Sequence, residues 1–206
     1  MPDKHGYVSL SLSNTYERRM IDAADLVILE INPNMPYTLG SYISVDEVDY
    51  FVQASYEAPT ITDAPYSEKD IQIGKYIADM VPDGSCIQLG IGGIPNAVAA
   101  ALENKNDLGV HTEMLTTGMM KLAQMGVITG KNKQAEKSTM VCAFALGSKE
   151  LYEFMDYNPA RDFWINDEIY GKREYSLIKS TYLDNEYLAP QQIKEIEFMY
   201  EICVAR

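Results

Sequence analysis

The sequence is poor in cysteine and histidine and has no long apolar segment, and each shortage excludes a class of protein. Its cysteines are Cys86, Cys142 and Cys203, far apart in the chain, and its histidines are His5 and His111. No CxxC pair occurs, so we predict neither a disulfide framework nor a zinc site. No apolar run approaches the ~18 residues of a membrane helix, and no apolar stretch typical of a signal peptide follows the first residues. We therefore expect a cytoplasmic protein without a membrane segment.

Basic residues are also scarce. The chain has 17 Lys and Arg residues against 30 Asp and Glu residues, which gives a formal net charge of −13. A nucleic-acid-binding protein needs a basic surface to displace counterions from phosphates, and no Lys/Arg cluster occurs here. The composition therefore argues against nucleic acid as a partner. An anionic ligand would have to be held by local backbone N–H groups or by a few placed cations.

Short buried strands and amphipathic helices alternate along most of the chain. We predict strands at residues 7–12, 25–31, 45–52, 85–89, 108–113 and 139–145, and helices at 16–24, 68–80, 96–103, 119–125, 148–155 and 191–202. This alternation predicts an α/β fold with a mostly parallel sheet and flanking helices. Between residues 57 and 67 the chain has two prolines and little apolar periodicity. We interpret this segment as a linker and place a domain boundary between residues 64 and 65.

The most informative local pattern is a glycine-rich loop, Gly-Ile-Gly-Gly-Ile-Pro at residues 90–95, between a predicted strand and a predicted helix. Such a loop lies at the carboxyl edge of a parallel sheet, where these folds bind ligands. Glycines allow close backbone approach, and the N–H groups at the helix start can stabilise an anion or an oxyanion. The pattern is not GxGxxG, because Pro95 stands at the last position, and no Gly-Lys-Ser/Thr follows as in a P-loop. From the pattern alone, a structural tight turn is as well supported as a ligand loop.

The next predicted strand ends at Glu113. Strand ends of successive βα units meet at one edge of the sheet, so we expect Glu113 to lie close to the Gly90 loop. A carboxylate beside backbone donors can serve as a nucleophile or a general base. A glutamate that caps the following helix is the simpler alternative, and the pattern alone favours it. His111 is predicted to face the same side as Glu113, but an ordinary polar role is the better interpretation for this residue.

Residues 86–118, CIQLGIGGIPNAVAAALENKNDLGVHTEMLTTG, resemble the acetyl-CoA hydrolase/transferase family, and within it the 4-hydroxybutyrate and butyrate:acetate CoA-transferases. Further matching segments follow the family order: residues 3–7, 23–32, 34–36, 144–147 and 151–152. The resemblance covers about residues 1 to 160. It implies an enzyme that acts on acyl-CoA and small carboxylic acids, with the coenzyme A thioester as a substrate and with no permanently bound cofactor or metal.

The resemblance also assigns roles to residues. It implies that Glu113 is the nucleophile and forms a glutamyl-CoA thioester in a ping-pong reaction. It assigns contact with coenzyme A, and an oxyanion donor, to Gly90, Ile91, Gly92, Gly93 and Ile94. Glutamate is ordinarily ionised at neutral pH, so the attack needs no general base. Exclusion of water from the thioester would separate transfer from hydrolysis.

The chain departs from the family in its length and in its last part. Members of the family are longer and have two similar α/β domains with the active site between them. By this comparison the chain is expected to be truncated at both ends. Residues 1–64 would be the end of the N-terminal domain, and residues 65–206 the start of the C-terminal domain, with a divergent tail from about residue 161. Sheet edges exposed by such truncation would favour self-association into a homo-oligomer.

Several functions therefore stay open at this stage. The first is an active transferase, and the second is an acyl-CoA hydrolase on the same scaffold that shares Glu113. The third is an inactive fragment that folds or binds coenzyme A weakly. A dinucleotide-binding domain ranks last, because Pro95 and the His-Thr-Glu-Met context of Glu113 oppose it.

Overall fold

Two small strand pairs are formed by the first quarter of the chain. A computed structural model describes residues 1–158 and the strand Arg161–Phe163, so the helix predicted at residues 191–202 lies outside the described residues. Strand β1 (Tyr7–Ser9), helix α1 (Glu17–Ala23), and strands β2 (Ile28–Ile31), β3 (Tyr42–Ser44) and β4 (Tyr50–Gln53) follow one another in the sequence. Strands β1 and β3 are antiparallel, whereas β2 and β4 are parallel.

The strand predicted at residues 45–52 is wrong in its first half. Residues Val45–Glu47 form a 3-10 turn, and β3 precedes this turn without having been predicted. A capping box explains the turn: the backbone N–H of Ser44 donates to the Glu47 carboxylate at 2.9 Å, and the Ser44 hydroxyl accepts from Asp46 N–H at 3.2 Å. Side-chain acceptors of this kind compete with strand pairing for backbone donors.

The main sheet is parallel in all of its described strands. Strands β5 (Cys86–Ile87), β6 (Gly109–Leu115), β7 (Met140–Ala145) and β8 (Arg161–Phe163) lie side by side in that order. This confirms the predicted α/β fold with a mostly parallel sheet, although β8 itself was not predicted. Strand β6 begins one residue later and ends two residues later than predicted. Glu113 therefore lies two residues before the end of the strand and not at its end.

Four helices accompany this sheet: α2 (Glu68–Met80), α3 (Gly93–Ala101), α4 (Thr117–Gln124) and α5 (Lys149–Met155). Consecutive parallel strands joined by right-handed crossovers place α3, α4 and α5 on one face of the sheet. A shared core of fully buried side chains supports this arrangement, with contributions from Leu102, Leu108, Val110, Met119, Leu122, Cys142, Leu151 and Met155. Helix α3 begins three residues earlier than predicted, because Pro95 fits into the first turn, where no intrahelical N–H bond is required.

Helices α2 and α3 pack so closely that one glycine is required between them. A Cβ atom added at Gly74 would lie 2.7 Å from the carbonyl oxygen of Ala97 and 3.1 Å from the backbone nitrogen of Val98. Real Cβ atoms do not approach backbone atoms this closely, so a side chain here would push the two helices apart. Because α3 follows directly from the glycine-rich loop, this contact also fixes where the loop ends.

We predict that Gly74→Ala destabilises the protein. Alanine improves helix propensity by about 1 kcal/mol, but overpacking against the α3 backbone costs about 1–3 kcal/mol, so the free energy of unfolding should fall. Urea denaturation measures the difference. The matched control is Gln72→Ala, at an exposed position of the same helix, which should change stability by less than about 0.5 kcal/mol. A Gly74→Ala protein as stable as the wild type would contradict the close packing.

Candidate active site

The glycine-rich loop owes its shape to two of its glycines. Gly92 has φ +117° and ψ −178°, a conformation that side chains with a Cβ atom avoid. At Gly93 the constraint is space, since an added Cβ atom would lie 3.0 Å from the carbonyl oxygen of Pro65. Gly90 differs from both, because the nearest atom to its added Cβ, on Pro95, is 3.9 Å away.

The isoleucines of the loop point outward. Ile91 is 63% exposed and Ile94 is 42% exposed, although both are apolar. They flank the start of α3, whose first turn is closed by a 3.1 Å hydrogen bond from Asn96 N–H to the Gly92 carbonyl. The loop therefore offers an apolar surface next to a helix N-terminus, a combination that suits a ligand with both apolar and anionic parts.

Strand β6 carries Glu113 on the side of the sheet that faces away from the α3–α4 core. Val110, Thr112 and Met114 are buried, whereas His111 and Glu113 between them are exposed. This strict alternation is the period of two that a strand imposes on its side chains. The Glu113 carboxylate is thus accessible from the opposite face of the sheet.

The register of β5 and β6 indicates where Glu113 lies along the sheet relative to the loop. Cys86 pairs with Gly109 and Ile87 pairs with Val110 in a parallel ladder. The same offset, continued past the last paired residues, brings Gly90 level with Glu113. The parallel pairing puts the loop and the carboxylate at the same edge of the sheet, and the expectation that they lie close together stays a prediction. The simpler alternative, a helix-capping glutamate, does not apply, because the N-cap residue of α4 is Thr116.

One buried cation lies beside the start of β6. Lys133 is only 5% exposed, and its Nζ donates to the Thr139 carbonyl at 2.7 Å. Desolvation and the Lys133 charge lower the pKa of His111, and Glu136 opposes them. A lowered pKa keeps the imidazole neutral at pH 7, so His111 adds no positive charge to the face that carries Glu113.

Sequence reasoning proposed the loop and the carboxylate as site residues but missed two tertiary contacts near them. Neither the burial of Lys133 nor the packing of Gly93 against Pro65 has a local signal, because each joins segments that are far apart in the chain. The proline-containing segment between residues 57 and 67 was interpreted only as a linker. In the structure it is hydrogen-bonded to α3 and α5.

Concave surfaces also occur away from this edge. A cleft of about 420 Å³ lies between β1 and β2, and one of about 410 Å³ lies between the Asn-Pro-Asn-Met-Pro turn at residues 32–36 and α5. Glu113 lines neither of them. Within residues 1–158, no group of three or more His, Cys, Asp or Glu side chains is arranged to hold a metal ion. The described helices include none long and apolar enough to cross a membrane.

Comparison with known proteins gives a consistent result. Residues 1–62 match the acetyl-CoA hydrolase/transferase N-terminal domain. This match ends next to the boundary predicted between residues 64 and 65, which stays a prediction. A 4-hydroxybutyrate coenzyme A transferase from Clostridium kluyveri is 43% identical over 159 residues, which are 77% of this chain and 37% of the relative.

Solved structures show the same fold. RipA from Yersinia pestis has a TM-score of 0.76 and 36% identity, with 79% of this chain and 38% of RipA covered. A 4-hydroxybutyrate CoA-transferase from Porphyromonas gingivalis has a TM-score of 0.75 and 36% identity, with 79% and 42% covered. This chain thus spans less than half the length of each of these relatives. Over the matched three quarters of its sequence, it belongs to the acetyl-CoA hydrolase/transferase family.

Proposed function

We propose that this chain carries the nucleophile and the coenzyme A-binding loop of a CoA-transferase. The reaction would move coenzyme A between an acyl-CoA and a short-chain carboxylic acid such as 4-hydroxybutyrate, butyrate or acetate. The observation that carries the proposal is the parallel register of β5 and β6, which relates the glycine loop to an exposed glutamate on the neighbouring strand. The names of the relatives support transfer of coenzyme A in general.

The first half of the proposed reaction forms a covalent enzyme. A carboxylate oxygen of Glu113 attacks the thioester carbonyl of the acyl-CoA, the C–S bond breaks, and coenzyme A departs as a thiolate, which leaves a mixed anhydride of Glu113 and the acyl group. The thiolate then attacks the glutamyl carbonyl of that anhydride. The acyl group departs as a free carboxylate, and coenzyme A is held on Glu113 as a thioester. No proton transfer is required in these steps.

The second half reverses these steps with another acid. The acceptor carboxylate attacks the glutamyl-CoA carbonyl and releases the thiolate, which then attacks the acceptor side of the new anhydride. Glu113 is regenerated, and the acceptor leaves as its coenzyme A ester. Both halves pass through tetrahedral oxyanions. Backbone N–H groups of the loop around Gly92 are the proposed donors, and losing one such donor typically costs about 2.7–4 kcal/mol of transition-state stabilisation.

The loop is also proposed to hold coenzyme A itself. The exposed side chains of Ile91 and Ile94 offer apolar contact to the pantetheine arm, while Gly90, Gly92 and Gly93 let the ligand approach the backbone. In this proposal the thioester is a substrate, and the reaction uses no resident cofactor or metal.

An acyl-CoA hydrolase is the second candidate, and the exposure of Glu113 favours it for the chain acting alone. Water that reaches the glutamyl-CoA thioester would release free coenzyme A instead of a new acyl-CoA. Product analysis with and without an acceptor acid separates the two activities. An inactive fragment would give neither product.

We predict that incubation with butyryl-CoA adds the mass of coenzyme A to the peptide that contains Glu113. Glu113→Gln should abolish the adduct, because a neutral amide cannot attack the thioester. Intact-protein and peptide mass spectrometry measure both results. The control is Glu103→Gln, an exposed glutamate in the turn after α3, which should label as the wild type does. A folded wild-type chain that never acquires the adduct would refute the proposal for these 206 residues.

We also predict that Gly92→Ala slows adduct formation about tenfold or more. Its φ of +117° would be strained by about 1–3 kcal/mol with a side chain, and the loop would relieve this strain by moving its N–H donors. The matched control is Gly126→Ala, where φ is +78° and no atom lies within 4 Å of the added Cβ. This control also places a side chain at a positive φ, but just after α4 and outside the loop, so it should lose stability but keep its labelling rate. Equal labelling rates in both variants would contradict a role for the loop geometry.

A further inference from the structure

The linker segment, residues 59–66, is attached to the carboxyl edge of the main sheet at one of its ends. The hydroxyl of Tyr152 in α5 donates to the Pro59 carbonyl at 2.5 Å. Ile61 N–H donates to the Gly147 carbonyl at 3.0 Å, and Gly147 follows the last residues of β7. The segment therefore begins its course beside β7 and α5.

The other end of the linker segment lies against the glycine-rich loop. The side-chain amide of Asn96 in α3 donates from Nδ2 to the Ala64 carbonyl at 2.8 Å. The next carbonyl, that of Pro65, would lie only 3.0 Å from a Cβ atom at Gly93. Between these two ends, Asp63 pairs with Lys121 of α4, so the segment runs from α5 past α4 to the start of α3.

The Asn96 hydrogen bond is well placed to control the loop. Asn96 uses its backbone N–H to close the first turn onto the Gly92 carbonyl at 3.1 Å and its side chain to hold the linker segment. A second tie, the ion pair between Lys121 and Asp63, is longer at 3.5 Å and exposed on both sides. Exposed pairs of this kind contribute little, whereas the partly buried amide–carbonyl bond leaves an unpaired carbonyl if it is lost.

We propose that Asn96 is a positioning residue: its side chain fastens the linker segment over the start of α3 and so holds the Gly90–Ile94 loop in place. The consequence for catalysis rests on the proposed transferase function, whereas the effect on the loop does not. Asn96 acts through Gly92 and Gly93 and does not itself contact the reacting atoms.

Hydrogen–deuterium exchange of the whole chain tests the structural step. Asn96→Asp replaces the donor with an acceptor that faces the Ala64 carbonyl, and Asn96→Ala removes the donor without adding charge. Both should accelerate exchange of the loop amides about tenfold, the factor expected for one lost hydrogen bond. The control Asn104→Asp makes the same charge change at an exposed site just after α3 and should leave the loop unchanged. Loop exchange like that of the wild type, or equal acceleration in every peptide, would overturn the proposal.

Adduct kinetics with butyryl-CoA test the catalytic step. For Asn96→Ala, the rate of adduct formation at saturating butyryl-CoA should fall about tenfold while the half-saturating concentration changes by less than about threefold, because a positioning residue does not bind the substrate. A rise in the half-saturating concentration alone would make Asn96 a substrate contact and overturn the proposal. If the wild type forms no adduct, the proposed function fails, and the exchange experiment still decides whether Asn96 holds the loop.

Discussion

The parallel pairing of β5 with β6 is the constraint on which the candidate site depends. Only two residue pairs define this ladder, Cys86 with Gly109 and Ile87 with Val110, yet they set the offset of everything that follows. A shift by one residue would turn Glu113 toward the buried α3–α4 core and expose Thr112 in its place, because side chains alternate along a strand. The short pairing is secured by β6 itself, whose other edge pairs with β7 from His111 to Leu115.

Close backbone contacts then convert this register into a defined edge. Gly74 allows α2 to touch the α3 backbone, and Gly93 allows α3 to begin against the Pro65 carbonyl. At both positions a side chain would clash with neighbouring backbone atoms, whereas at position 92 glycine is required by the φ angle. The loop is therefore held by contacts on two sides and by its own conformation. This explains why its exposed isoleucines can stay at the surface without collapsing into the core.

Periodicity predicted the parts of this fold that local sequence determines. The helix at Glu68–Met80 was predicted with both of its ends from its apolar pattern, and in the structure a capping box of Ser67 and Asp70 opens it. The strand β3 was missed since three residues are too few to show a period. The start of α3 was misplaced because a helix with glycine at its N-cap, and with glycine and proline in its first turn, lacks ordinary helix formers there. The Asn96–Ala64 bond could not be predicted, since a single amide gives no indication of a partner 32 residues away.

The accessibility of Glu113 links the structure to the choice between transfer and hydrolysis. A nucleophile on a strand interior has its orientation fixed by the sheet on both sides, which favours a reproducible angle of attack. The same placement leaves its carboxylate exposed on the face opposite the helices, where water can approach any thioester formed on it. In the proposed reaction, the β5–α3 loop stabilises the oxyanion. Protection of the thioester from water must come from a surface that covers the sheet face opposite the helices. In the proposed reaction, catalytic power and selectivity would thus be separable: the first would depend on the loop and its linker contacts, and the second on the cover over β6.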